Sequence, residues 1–107
     1  MEEQHVIRAL SALAHPLRLQ LFRALVGAGP QGLTPGVLTE QLDAAATTLS
    51  FHLKELTAAQ LITQERDGRH LIYRVDFERM AAVMSYLTAH CCQGLPCEVN
   101  TSKPVCC

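Results

Sequence analysis

Five cysteines all follow residue 90, and three of them fall in the stretch His90-Cys91-Cys92-Gln93-Gly94-Leu95-Pro96-Cys97. Thiolates are soft ligands that hold soft metal or metalloid ions, and they also carry thiol–disulfide redox chemistry. Adjacent side chains on a helix diverge by about 100°, so Cys91 and Cys92 converge on one ion only if the helix unwinds there. Gly94 and Pro96 turn the chain, which lets Cys97 come back toward the pair. A three-sulfur site or a disulfide among the same thiols fits this spacing. Cys106 and Cys107 are accessory thiols at the end of the chain. An odd count confined to one end does not read as a disulfide framework that ties distant segments together. The Cys-x-x-Cys spacing of tetrahedral zinc is absent. A cysteine-based oxyanion reductase needs an anion-binding loop with arginine in it, and the corresponding positions here are Cys97 and Glu98. An enzyme is therefore not expected.

The chain around these thiols has 107 residues, enough for one domain with a modest core. Hydrophobic residues make up 49% and charged residues 18%, which points to apolar surface buried against a second copy. The formal net charge is -1, so any nucleic acid must be met by a local patch rather than a global basic field. The start, "MEEQHVIRAL", is acidic and does not read as a secretory signal. The longest apolar stretch is too short to span a bilayer. A cytoplasmic location with reduced thiols, and no membrane partner, is the expectation.

Periodicity supplies the elements that must position these groups. Val6, Leu10 and Leu13, with Ile7 beside them, recur at helical spacing. Pro16 opens a second helix with Leu17, Leu21, Phe22 and Leu25 inward, ending at the loop "GAGPQG". Thr34 caps a short third helix with Pro35 at its first position, carrying Val37, Leu38 and Leu42. Asp43 to Ala45 connect it to a fourth helix, whose inward stripe is Leu49, Leu53 and Leu56. Its outer face carries Thr47, Phe51, Lys54 and Glu55, with Thr48 and Ser50 at the edges and His52 beside the apolar stripe. Alternation then changes to a period of two around Asp67-Gly68, a hairpin signal. Asp76 caps a last helix running to about His90, with Phe77, Met80, Val83, Met84 and Leu87 as its stripe. The expected fold is mainly α with a small β-hairpin, a winged helix-turn-helix.

The stretches "ALSALAHPLRLQLFRAL", "TTLSFHLKELTAAQLI" and "RDGRHLIYRV" resemble the ArsR family of metal-responsive repressors over residues 6–90. Ser50-Phe51-His52-Leu53-Lys54 matches the recognition-helix pattern of that family. The resemblance implies a homodimer built through the first and last helices, bound to double-stranded operator DNA and released by a metal or metalloid. It also implies a domain over residues 1–92, with residues 93–107 completing the inducer site. The segment "LTPGVL" stands where the family's commonest arsenic site carries cysteines, and it has none. Asp76 matches the first position of a zinc site on the last helix, but Glu78 and Ala89 do not continue it. "CCQGLPC" looks like the family's triple-cysteine version, which implies trivalent arsenic or antimony, inorganic or methylated, at Cys91, Cys92 and Cys97. A thiol redox sensor or a sensor of another soft ion on the same scaffold is the alternative.

For DNA, Thr47, Thr48, Ser50 and Phe51 are the candidates for base or phosphate contact, and Lys54 suits a phosphate. Arg66, Arg69 and His70 cluster at the hairpin tip, where a wing would touch the backbone or minor groove. Phe51 either meets a thymine methyl or packs on the wing or a nearby loop. His52 is read as a partly buried packing or hydrogen-bonding residue. Residues 45–75 hold Lys54, Arg66, Arg69 and Arg74 against Glu55, Glu65 and Asp67, so the element pattern carries the inference rather than charge.

Overall fold

The computed structural model of the chain describes residues 1–90. The order is α1 (Glu3–Leu13), α2 (Pro16–Ala28), a 3-10 turn (Gly29–Gln31), α3 (Pro35–Leu42), α4 (Ala46–Ala58), β1 (Ile62–Asp67), β2 (His70–Val75) and α5 (Phe77–Thr88). The expected winged helix-turn-helix is the observed one: α3 and α4 form the helix pair, and the antiparallel β1–β2 hairpin forms the wing.

Local chemistry marks the helix starts. The Thr34 hydroxyl accepts from the Val37 N–H at 3.4 Å, with Pro35 in the first turn. The Asp76 carboxylate accepts from the Arg79 N–H at 3.1 Å. At α2 the cap is a histidine: His15 Nδ1 accepts from the Leu17 N–H at 3.1 Å. The end of α4 is just as specific. Gln60 takes a left-handed φ of 64°. The Gln60 and Leu61 N–H groups then donate to the Thr57 and Leu56 carbonyls at 2.9 and 3.2 Å. This Schellman closure sends the chain straight into β1.

The core sits around the middle of α4. Leu49, Leu53 and Leu56 are fully buried with Leu21, Leu25, Leu38, Leu61 and Ile62. Burial of each such side chain is worth about 1.5–3 kcal/mol. These residues come from α2, α3, α4 and the start of β1, so one cluster sets the mutual angles of the helix pair and the wing.

One expectation is corrected in detail. The hairpin pairs Asp67 with His70, so its two-residue loop is Gly68-Arg69 rather than Asp67-Gly68. The reason is that Gly68, with φ 64°, occupies the first loop position, where a tight hairpin turn needs a positive angle. On α1 the buried side is Val6, Ala9 and Ala12, while Ile7 and Leu10 face outward. Small alanines allow α1 to lie close against the domain, and its larger side chains are left on the outer surface. On α5 only Val83 of the expected stripe is buried and Met80 is half-buried, whereas Phe77, Met84 and Leu87 are exposed.

The wing is tied to the loop that precedes α3. Leu33 and Tyr73 exchange both backbone hydrogen bonds at 2.9 Å, a one-residue extension of the hairpin on its other edge. Gly32 makes this approach fit. A Cβ there would lie 2.4 Å from the Tyr73 carbonyl oxygen and 2.7 Å from Arg74 Cγ, and φ is +70°. Gly32→Ala is expected to cost at least about 2 kcal/mol, combining a backbone clash with a disfavoured angle. Gly36→Ala on exposed α3, with nothing within 4 Å of the added methyl, is expected to be neutral or slightly stabilising. Urea unfolding of the two variants beside the parent checks the difference.

Candidate nucleic-acid interface

Burial of Leu49, Leu53 and Leu56 decides which face of α4 is left for a partner. Thr47, Thr48, Ser50, Phe51 and Lys54 are all exposed, and Glu55 is half-buried at the margin. The structure therefore brings the five α4 candidates together on one outward surface. The residue before α4, Ala45, provides no side-chain cap, so the first-turn N–H groups of Ala46, Thr47 and Thr48 are free of a capping side chain. Such a helix end favours an anion such as a phosphate.

The second part of the interface is the wing tip. Arg66, Arg69 and His70 are all exposed there. Arg69 lies in the two-residue loop, and Arg66 and His70 lie on the two strands beside it. Arg74 is different. Its Nη1 donates to Glu65 Oε2 at 2.9 Å and its Nε donates to the Pro30 carbonyl at 2.9 Å. This is the one ion pair among the described residues. An exposed ion pair contributes little stability by itself. Its consequence is geometric: Arg74 fastens the wing to the turn after α2. It also neutralises one acid on the surface that carries the tip cations. In the sequence alone Arg74 is only one more charge. Glu65 and Arg74 are diagonal neighbours across the strand pair, so the strand register brings them together.

A polar cluster links α4 to the start of α2. His52 is buried at 8% exposure, as expected of a packing and hydrogen-bonding residue. Its Nδ1 accepts from Arg18 Nε at 2.9 Å. The His15 ring lies 4.5 Å from the His52 ring, centroid to centroid. Burial pushes the His52 pKa down, the neighbouring His15 and Arg18 charges push it the same way, and Glu55 opposes them. Phe51 is 51% exposed, and the Arg18 guanidinium lies 5.8 Å from its ring centroid. Its near partners are thus Arg18 and its own neighbour His52. Arg18 was missed in the sequence. The available signal was His15-Pro16-Leu17-Arg18, which sets a polar cap and an arginine one turn before the inward pair Leu21 and Phe22.

The expected thiol site, Cys91, Cys92 and Cys97 with accessory Cys106 and Cys107, lies outside the described residues, as does the Gly94–Pro96 turn. Among the described residues, no group of three or more His, Cys, Asp or Glu side chains is placed to hold a metal ion. Nor is any helix among them long and apolar enough to cross a membrane.

Known proteins share this arrangement. A family model described as a helix-turn-helix domain matches residues 13–65. The HTH-type transcriptional regulator YgaV of Escherichia coli is 31% identical over 78 residues, covering 73% of this chain and 77% of YgaV. A crystal structure of a possible transcriptional regulator for arsenical resistance is 30% identical with a TM-score of 0.64, over 74% of this chain and 79% of that one. The homodimeric winged helix-turn-helix DNA-binding domain Mb0332 of Mycobacterium bovis, a possible ArsR-family regulator, shares the fold with a TM-score of 0.63. It is 24% identical, over 81% of each chain. With α3 and α4 as its helix pair and the hairpin as its wing, the chain belongs to the helix-turn-helix transcriptional regulators.

Proposed function

We propose that this protein is a repressor that binds operator DNA as a homodimer and is released when trivalent arsenic or antimony binds Cys91, Cys92 and Cys97. The observation that carries the DNA-binding part is the single outward surface of α4, with Thr47, Thr48, Ser50, Phe51 and Lys54 exposed together and Arg66, Arg69 and His70 at the wing tip. A helix of this kind enters the major groove, where short polar side chains and apolar groups meet base edges and thymine methyls. The wing cations meet backbone phosphates.

Pairing of two copies is supported by what α1 and α5 leave outward. Ile7 at 56%, Leu10, Met84 and Leu87 at 57% are exposed, which is costly for a chain of this size without a partner. Two recognition helices must sit about 34 Å apart to read successive turns of one groove face. A change at the end of α5 is therefore felt at both half-sites.

The inducer reading rests on the sequence. Three thiols within seven positions follow α5, and a trivalent arsenic or antimony centre takes three sulfurs in a pyramid around its lone pair. Similarity to a regulator described for arsenical resistance supports the same class. The bound ion would supply a rigid link among the three thiolates. Coupling of about 1–3 kcal/mol between that site and the DNA surface weakens operator binding about 5–150-fold.

Three outcomes test this reading on a duplex selected from a randomised pool. By fluorescence anisotropy, arsenite releases the parent from the duplex, whereas Cys92→Ser binds with parental affinity and is not released. Release of that variant by arsenite would refute the site; release of the parent by peroxide alone would favour the redox alternative. Arg66→Ala and Arg69→Ala each reduce the slope of log K against log salt by about 0.9. Ile7→Glu combined with Leu87→Glu gives a monomer by light scattering, with the parental circular dichroism spectrum.

A further inference from the structure

We infer that Arg18, held by the bare Nδ1 of His52, is a positioning residue for operator binding, which fixes the Phe51 ring on the DNA-facing side of α4 and makes affinity depend on a neutral His52. The inference rests on the DNA-binding reading above.

Three elements meet at this point: the α1–α2 turn with His15, the first turn of α2 with Arg18, and the middle of α4 with Phe51 and His52. A guanidinium offers only donors, so the nitrogen 2.9 Å from Arg18 Nε must carry no proton. That bond fixes one edge of the guanidinium. Its cationic centre then stands 5.8 Å from the Phe51 centroid, within the range of cation–π attraction. A half-exposed phenyl on a recognition helix has several rotamers open to it, and a cation beside its ring selects among them. An α2 residue thereby orders an α4 side chain that faces DNA.

A proton on His52 Nδ1 removes the acceptor and sets a second cation against Arg18. The groups facing His52 are His15 from the α1–α2 turn, Arg18 from α2 and Glu55 from α4, with Glu55 the only acid. His15 offers no alternative acceptor at Nδ1, which is already taken by the Leu17 N–H. Burial, with His15 and the Arg18 guanidinium beside it, holds the folded-state pKa of His52 below its ordinary 6.5. The unfolded chain therefore takes up this proton first as the pH falls. The stabilising contribution of neutral His52 is complete above the unfolded value, shrinks below it, and is lost as the pH passes the folded-state pKa.

The test compares the pH profile of binding to the selected duplex for the parent, His52→Leu and His52→Asn, at constant ionic strength from about pH 8 to about pH 5.5. Asparagine places a non-titrating carbonyl where Nδ1 stands, so His52→Asn should rescue the loss caused by His52→Leu at the upper pH. The parent should lose affinity relative to His52→Asn progressively toward the low end of the range, by about twofold or more at the lowest pH. If His52→Leu does not fold by circular dichroism, the parent and His52→Asn profiles decide the matter. Superimposable profiles for those two proteins overturn the inference while leaving DNA binding intact. Failure of every variant to bind any duplex at any pH overturns the DNA-binding reading and this inference with it.

Discussion

Burial of Leu49, Leu53 and Leu56 in one cluster with Leu21, Leu25, Leu38, Leu61 and Ile62 is the constraint on which the whole arrangement depends. A helix of thirteen residues with one apolar stripe can be placed in only one rotation about its axis without exposing that stripe. Once α4 is seated, its opposite face is committed to a partner. The same cluster takes in the start of β1, so the wing leaves the core beside that face. Helix pair and wing are thus positioned by one act of packing.

Around this core, the side chains that do not contact a partner directly set the precision of those that do. Gly32 lets the loop before α3 reach β2, the Leu33–Tyr73 pairing holds it there, and Arg74 braces the hairpin against Pro30. His15 and Arg18 brace the other side of α4 through His52. The recognition surface is held from α2 on one side and from the wing on the other. Under the proposed function this stiffness matters, since a displacement at the dimer helices would reach DNA only through elements that do not absorb it.

Much of this was legible in the chain. The caps Thr34 and Asp76 and the outward set on α4 follow from residue type and helical period, and the structure bears them out. The hairpin was located one residue early because Asp67-Gly68 and Gly68-Arg69 are both acceptable turn pairs, and only the strand register chooses between them. On α1 the helical period of the apolar residues did not say which side meets the core. Close packing selected Val6, Ala9 and Ala12, since small side chains admit a nearer helix.

What the sequence determined by itself is therefore the element order, the polar face of α4, the basic tip of the wing, and a run of thiols suited to a soft ion. Those are properties of residue type and spacing, and they need no knowledge of distant contacts. What only the tertiary structure decided is which charges are free and which are engaged. Arg74 and Arg18 look in sequence like any other surface arginine. The fold brings Arg74 to the Pro30 carbonyl 44 positions away, and Arg18 to a histidine 34 positions away. Contacts across that separation depend on the packing angles of whole helices, which no local pattern encodes.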